Sequence, residues 1–111
     1  MSIIKNQNFV EQAEKAIESI VTQIDQQDED CIFEIESEAD GTSINTESGI
    51  YLINIKATKK EIWLSSPITG PHHFYQYENH WYSKNGDDLG DILSSELSDI
   101  SQNHPKIHIS L

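Results

Sequence analysis

The spacing of apolar residues changes period twice along this chain of 111 residues, and that change limits its possible folds more than any other feature. Between about residues 6 and 26, Phe9, Ala13, Ala16, Ile17, Ile20 and Ile24 recur at helical spacing. At about 100° per residue they share one side of a helix. Asn8, with Glu11 three residues on, has the form of a capping box that would open it. From about 31 to 84 the period becomes two. Cys31, Phe33 and Ile35 then point one way, and Glu34, Glu36 and Glu38 the other. Cys31 is expected to be a buried structural thiol on this inward face.

Further strands are expected around Ile44 (42–46), over 50–55 and over 61–64, with a turn at Glu47-Ser48-Gly49. A connection punctuated by Pro67, Gly70 and Pro71 follows, then a hairpin over 72–77 and 80–83 turning near Glu78-Asn79. Helical spacing returns at about 87–101, where Asp87 or Asp88 can cap a helix carrying Leu89, Ile92, Leu93, Leu97 and Ile100. Glu96 falls inside that apolar arc and has no place in the pattern. Asn103 and Pro105 are expected to stop the helix. The tail, 102–111, alternates at Ile107-His108-Ile109 and is expected to lie along the helices or the sheet.

Helix, about six strands, helix is the order of an α+β fold. One domain spanning 1–111 is expected, a two-layer sandwich with both helices on one face of a largely antiparallel sheet. Its other sheet face is then open, which antiparallel sheets tolerate. Ile62 and Leu64 claim the covered side of their strand, so Glu61 and Trp63 share the open one. An exposed strand tryptophan is a good anchor for a protein partner.

Charge narrows the function. Residues 1–40 carry eleven acids against two lysines, and the whole chain has a net charge of −12 and no arginine. Nucleic-acid binding is excluded, because phosphate neutralisation needs clustered Lys or Arg. No apolar run approaches the ~20 residues of a membrane span. With Glu11 at zero, Glu14, Glu18, Thr22 and Asp25 fall within an arc of about 80°, opposite the apolar stripe. Asp28, Glu29 and Asp30 continue the acidic run, and Glu34 and Glu36 carry it onto the first strand. Such crowding is self-repelling, and only Lys15 lies near it.

A cationic partner is therefore expected. Carboxylate oxygens suit hard cations such as iron, Mn²⁺, Ca²⁺ and Mg²⁺. Exposed single carboxylates cannot enclose an ion, so binding should be weak and rich in water. The run 28–30 lacks the glycine and terminal glutamate of an EF-hand. His72 and His80 could approach across the hairpin, although two histidines without a further ligand make a poor metal site. No nucleophile–base pattern, phosphate loop or paired CxxC is present, so an ordinary enzyme is not expected. The single Cys31 points to a reducing compartment. The first residues, Met1 to Lys5, lack a signal-peptide or transit pattern. A bacterial type of cytoplasm is the expected location, with an organellar matrix after presequence removal as the alternative.

The block Glu61-Ile62-Trp63-Leu64-Ser65-Ser66-Pro67, then Gly70-Pro71, Trp81-Tyr82-Ser83 and Asn85-Gly86, resembles the frataxin family, whose bacterial branch is called CyaY. The second-helix segment from Leu89 to Leu97 fits the same family, and the resemblance covers roughly residues 8–100. It implies iron (Fe²⁺ or Fe³⁺) held weakly on helix 1 and strand 1, and a role in iron–sulfur cluster assembly as regulator or iron donor. It implies a cysteine desulfurase and the cluster scaffold as partners, with a monomer expected in the absence of metal.

By position, the metal candidates are Glu11, Glu14, Glu18, Asp25, Asp28, Glu29, Asp30, Glu34 and Glu36. Trp63 and Asn54 match sheet-face positions of the family, Glu61 stands where many members have Gln, and His73 where some have Arg. These four are the partner-binding candidates. The alternatives are an acidic interaction module with incidental divalent-cation binding, and oxidation of Fe²⁺ at the ridge.

Overall fold

The first helix starts earlier than its pattern predicts. The computed structural model describes residues 2–39, 41–102, 104 and 106–111, with the backbone alone for 2–7. In it α1 runs over Ser2–Gln27. Asn8 is therefore an exposed residue within the helix and does not open a capping box with Glu11. Nothing between Ser2 and Asn8 is a glycine or proline, so no breaker stops the helix from extending. Phe9, Ala13, Ala16, Ile20 and Ile24 are buried, as their spacing requires, and Ile17 is half-buried beside them.

After α1 the chain turns about Asp28, whose two carboxylate oxygens accept from the backbone N–H groups of Ile32 and Phe33, each at 2.9 Å. This turn corrects the reading of Cys31. The residue has φ +53° and is exposed with a free thiol. Alternation requires extended backbone, and the Asp28 turn delays the strand until Glu34. Phe33 is still buried, but Cys31 lies in the turn and belongs to neither sheet face.

Six strands follow as one antiparallel meander in sequence order. They are β1 (Glu34–Glu38), β2 (Gly41–Thr46), β3 (Gly49–Lys56), β4 (Glu61–Ser66), β5 (Gly70–Tyr77) and β6 (His80–Tyr82). A short 3₁₀ turn, Ala57–Lys59, which the pattern gave no sign of, joins β3 to β4. Glu78 and Asn79 turn the last hairpin with φ +48° and +70°. Positive φ at both central residues matches the right-handed twist of the flanking strands. Asp88 caps α2 (Leu89–Ser101) by accepting from the Asp91 N–H at 3.1 Å. The expected stops at Asn103 and Pro105 lie outside the described residues.

Both helices cover one sheet face, which presents Ile44, Tyr51, Ile53, Ile62, Leu64, Phe74 and Trp81 to the core. Phe9 of α1 meets Trp81 edge-on, with ring centres 5.7 Å apart. Burial of each large aliphatic side chain here stabilises the fold by about 1.5–3 kcal/mol.

Glu96 also points into this core, at only 8% exposure. It accepts from the Tyr51 hydroxyl at 2.8 Å, from Ser66 Oγ at 2.6 Å and from Thr69 Oγ1 at 2.7 Å. One carboxylate on α2 thus joins β3, β4 and the turn into β5. Burial, and then the carboxylate it donates to, push the Tyr51 phenol well above its ordinary pKa. The hydroxyl therefore stays protonated as a donor. Ser66 Oγ in turn accepts from the N–H groups of Ile68 and Thr69.

The tail lies between the helices, and side chains from both helices bind its backbone. Gln23 and Gln27 of α1 each pair with both backbone groups of one residue: Gln23 with Ser110 at 2.8 and 2.9 Å, Gln27 with His108 at 2.7 Å for both bonds. From α2, Ser98 does the same for Ile107 at 2.8 and 3.0 Å, and Ser94 for Ile109 at 3.3 and 2.8 Å. Ile107 and Ile109 are buried at 2% exposure. The fit is close enough that a Cβ on Gly90 would stand 2.9 Å from the Ile109 carbonyl oxygen.

Two stability measurements check these contacts by urea denaturation. Glu96→Ala strands three hydroxyl donors, of which the Tyr51 and Ser66 bonds are buried, and should cost about 2–4 kcal/mol. Ile109→Ala should cost about 2–5 kcal/mol by opening a cavity under the tail.

Candidate functional site

Alternation along the strands puts a row of polar and aromatic side chains on the uncovered sheet face. Cross-strand register sets Asn54 opposite Trp63, and Trp63 opposite His73. The Trp63 and His73 rings stack with centres 4.1 Å apart and planes 7° from parallel. Trp63 Nε1–H donates to Glu61 Oε1 at 2.9 Å. The ammonium of Lys56, which pairs with Glu61 in register, sits 4.8 Å over the indole ring. The structure therefore brings the four partner-binding candidates, Asn54, Glu61, Trp63 and His73, into one contiguous group.

Lys56 joins them and was not singled out from the sequence. Its signal was positional, two residues beyond Asn54 on the same strand face. A cation over an indole face is worth roughly 0.5–1 kcal/mol at an exposed site, so the indole is held in place from three sides. Leu52 at 46%, Tyr75 at 45% and Tyr77 at 58% exposure extend the surface around it.

The acidic candidates are distributed differently. Glu11, Glu14, Glu18 and Asp25 are exposed along α1, and Glu29 and Asp30 are exposed in the turn after it. Glu34 and Glu36 are exposed on the edge strand β1, and by register they lie on the open sheet face. The ridge thus has two flanks, one on the helix and one on the sheet, meeting at β1.

Two members already have structural bonds. Asp28 holds the turn into β1 through both oxygens, and Asp30 pairs with His104 Nδ1. Among the described residues, neither lysine ion pairs with the ridge nor any group of three His, Cys, Asp or Glu placed to hold a metal is found. The other candidates are exposed and share no such group, an arrangement that permits only loose, water-rich cation binding. The approach of His72 and His80 that the hairpin allowed does not occur. His72 is on the covered side with Phe74, while His80 pairs with Tyr77 on the open side, and strand alternation separates them.

Residues 2–103 match the frataxin-like domain family. The chain is 30% identical over 96 residues to the mitochondrial frataxin homologue of Saccharomyces cerevisiae, covering 82% of this chain and 55% of that protein. It therefore spans about half the length of that relative. Among solved structures, it superposes on trimeric yeast frataxin complexed with ferrous iron with a TM-score of 0.74, at 30% identity. That match covers 82% of this chain and 87% of the yeast chain. With the frataxin of Psychromonas ingrahamii the TM-score is 0.82 at 16% identity, over 96% of this chain and 98% of that one, a likeness of fold alone.

The ridge carries a consequence for stability. Its uncompensated carboxylates repel one another, and screening or cation binding relieves that repulsion. Added salt, and millimolar Mg²⁺ or Mn²⁺ more strongly at equal ionic strength, should raise the melting temperature. Differential scanning calorimetry measures this, and an unchanged or lower midpoint would show that the ridge is not electrostatically crowded.

Proposed function

The chain belongs to the frataxin family, and on that ground we propose that it binds iron weakly as cargo for iron–sulfur cluster assembly. The observation that carries this reading is the ridge of exposed, unpaired carboxylates on α1 and β1. Hard oxygen donors suit Fe²⁺ and Fe³⁺, and single exposed carboxylates release an ion as easily as they take it. Glu11, Glu14, Glu18 and Asp25 hold the ion on the helix flank, and Glu34 and Glu36 on the strand flank. Glu29 and Asp30 extend the site, and Asp28 contributes only where its turn opens.

The open sheet docks the protein partners. Trp63, steadied by His73, Glu61 and Lys56, is the anchor, with Asn54 beside it. A cysteine desulfurase and the cluster scaffold are the partners in this reading, and the protein tunes the activity of that complex or supplies its iron. The negative ridge steers a basic partner surface into register. Binding and transfer, with no turnover of its own, is the role. Oxidation of Fe²⁺ at the ridge would require turnover above the buffer rate that is lost on Glu→Gln changes there. The similarity to a mitochondrial relative supports an organellar matrix as the location in this reading.

Anaerobic NMR titration with Fe²⁺ tests the cargo site. Amide signals of α1 and β1 should broaden first, while those of β4 to β6 persist. Broadening spread evenly over the chain would sink the assignment. Pull-down of the desulfurase and scaffold with Trp63→Ala tests the docking face. Loss of a hot-spot aromatic of this kind should weaken capture by 30-fold or more, from a change of about 2 kcal/mol or greater. Unchanged capture would move the interface elsewhere.

A further inference from the structure

α1 and the β1–β2 end of the sheet do not close on each other. Between them is a cleft of about 510 Å³, within the roughly 300–1,000 Å³ of small-molecule sites. Ile17 and Val21 of α1 and Ile53 and Ile55 of β3 line it as an apolar floor. Ile17 and Val21 sit on the shoulder of α1, about 60° and 20° round from Glu14 towards the core stripe. Both are half-buried and face the cleft. Among the described residues, Glu14, Glu18 and Glu38 are the charged ones that line the cleft, and no lysine or histidine does so. Lys15 is about 100° round the helix from Glu14.

We infer that this cleft is a binding site for a small organic cation with an apolar body, such as an alkylammonium or alkylguanidinium compound. Two requirements must be met by one ligand. The buried polar side chain at the cleft, Thr42, is already paired with Ser37 at 3.4 Å, so occupancy depends mainly on apolar surface removed from water. The three acids set the sign of charge tolerated at the same cleft, because an anion would meet uncompensated carboxylates there. A bare metal ion satisfies the acids and leaves the floor wet. A fatty anion fits the floor and is repelled by the acids. Only a molecule carrying both features meets both demands. The cleft shares Glu14 and Glu18 with the proposed iron ridge, but its apolar floor and the ligand body involve no metal.

The test uses the full chain without iron and three probes: hexyltrimethylammonium, tetramethylammonium and hexanoate. Methyl NMR should show saturable shifts at Ile17, Val21, Ile53 and Ile55 with hexyltrimethylammonium, and none with the other two. The double variant Glu14→Gln/Glu18→Gln alters exposed side chains only, and should weaken binding ~5-fold. Val21→Lys places an alkylammonium of the chain's own in the cleft and should abolish the shifts. An equal response to hexanoate would overturn the charge selection. An equal response to tetramethylammonium would reduce the effect to counterion condensation. Shifts centred on Trp63 and Tyr75 would place the probe on the open sheet and overturn the site. Fe²⁺ broadening of α1 and β1 is read in a separate experiment, so failure of one assignment leaves the other intact.

Discussion

One-sided burial of the antiparallel sheet is the constraint on which the rest depends. Because both helices cover the same face, every strand must sort its residues by parity. Ile53, Ile62, Leu64 and Phe74 go under the helices, and Asn54, Glu61, Trp63 and His73 are left facing solvent. The same parity puts Glu34 and Glu36 on the open face of β1. A one-residue slip in β4 would exchange Trp63 with its neighbours and dismantle both core and surface. Core packing and the outward display of the site are consequences of a single register.

Parity also explains what could be read in advance. The placing of Trp63 on the open face, where it is half-buried, followed from Ile62 and Leu64 alone, since two aliphatic neighbours fix the face of the residue between them. The six strands, the hairpin at Glu78-Asn79 and the Asp88 cap followed from alternation and turn chemistry. Cys31 was misplaced because its spacing to Phe33 and Ile35 fits a strand, whereas Asp28 gathers the Ile32 and Phe33 amides into a turn. That bond depends on where α1 ends, which side-chain spacing does not reveal. The early start of α1 was hidden by Asn8 and Glu11, which have the form of a cap without acting as one.

Glu96 shows a different limit. Its misfit in the apolar arc of α2 was visible, but its partners were not. Tyr51 is 45 residues away and Ser66 30 residues away, and no local pattern connects them. A buried carboxylate with three hydroxyl donors needs no cation, which is why it persists in a core otherwise built of aliphatic and aromatic groups. The acidic ridge was legible as composition and as helical arc. Its division between helix and sheet flanks required the edge position of β1, a fact of topology. Lys56 over Trp63 likewise depends on cross-strand register.

The docking of the tail has a consequence for how the protein is made. Gln23 and Gln27 belong to the first helix, and the backbone groups they bind lie 87 and 81 residues later. Contacts so distant in sequence form slowly, because a long loop must close before they stabilise anything. On a ribosome residues 107–111 emerge after both helices. Until then the seam between α1 and α2 has no filling, and the Gln and Ser side chains there lack their partners on the tail. A nascent chain that has released both helices but not this segment therefore presents an open apolar seam.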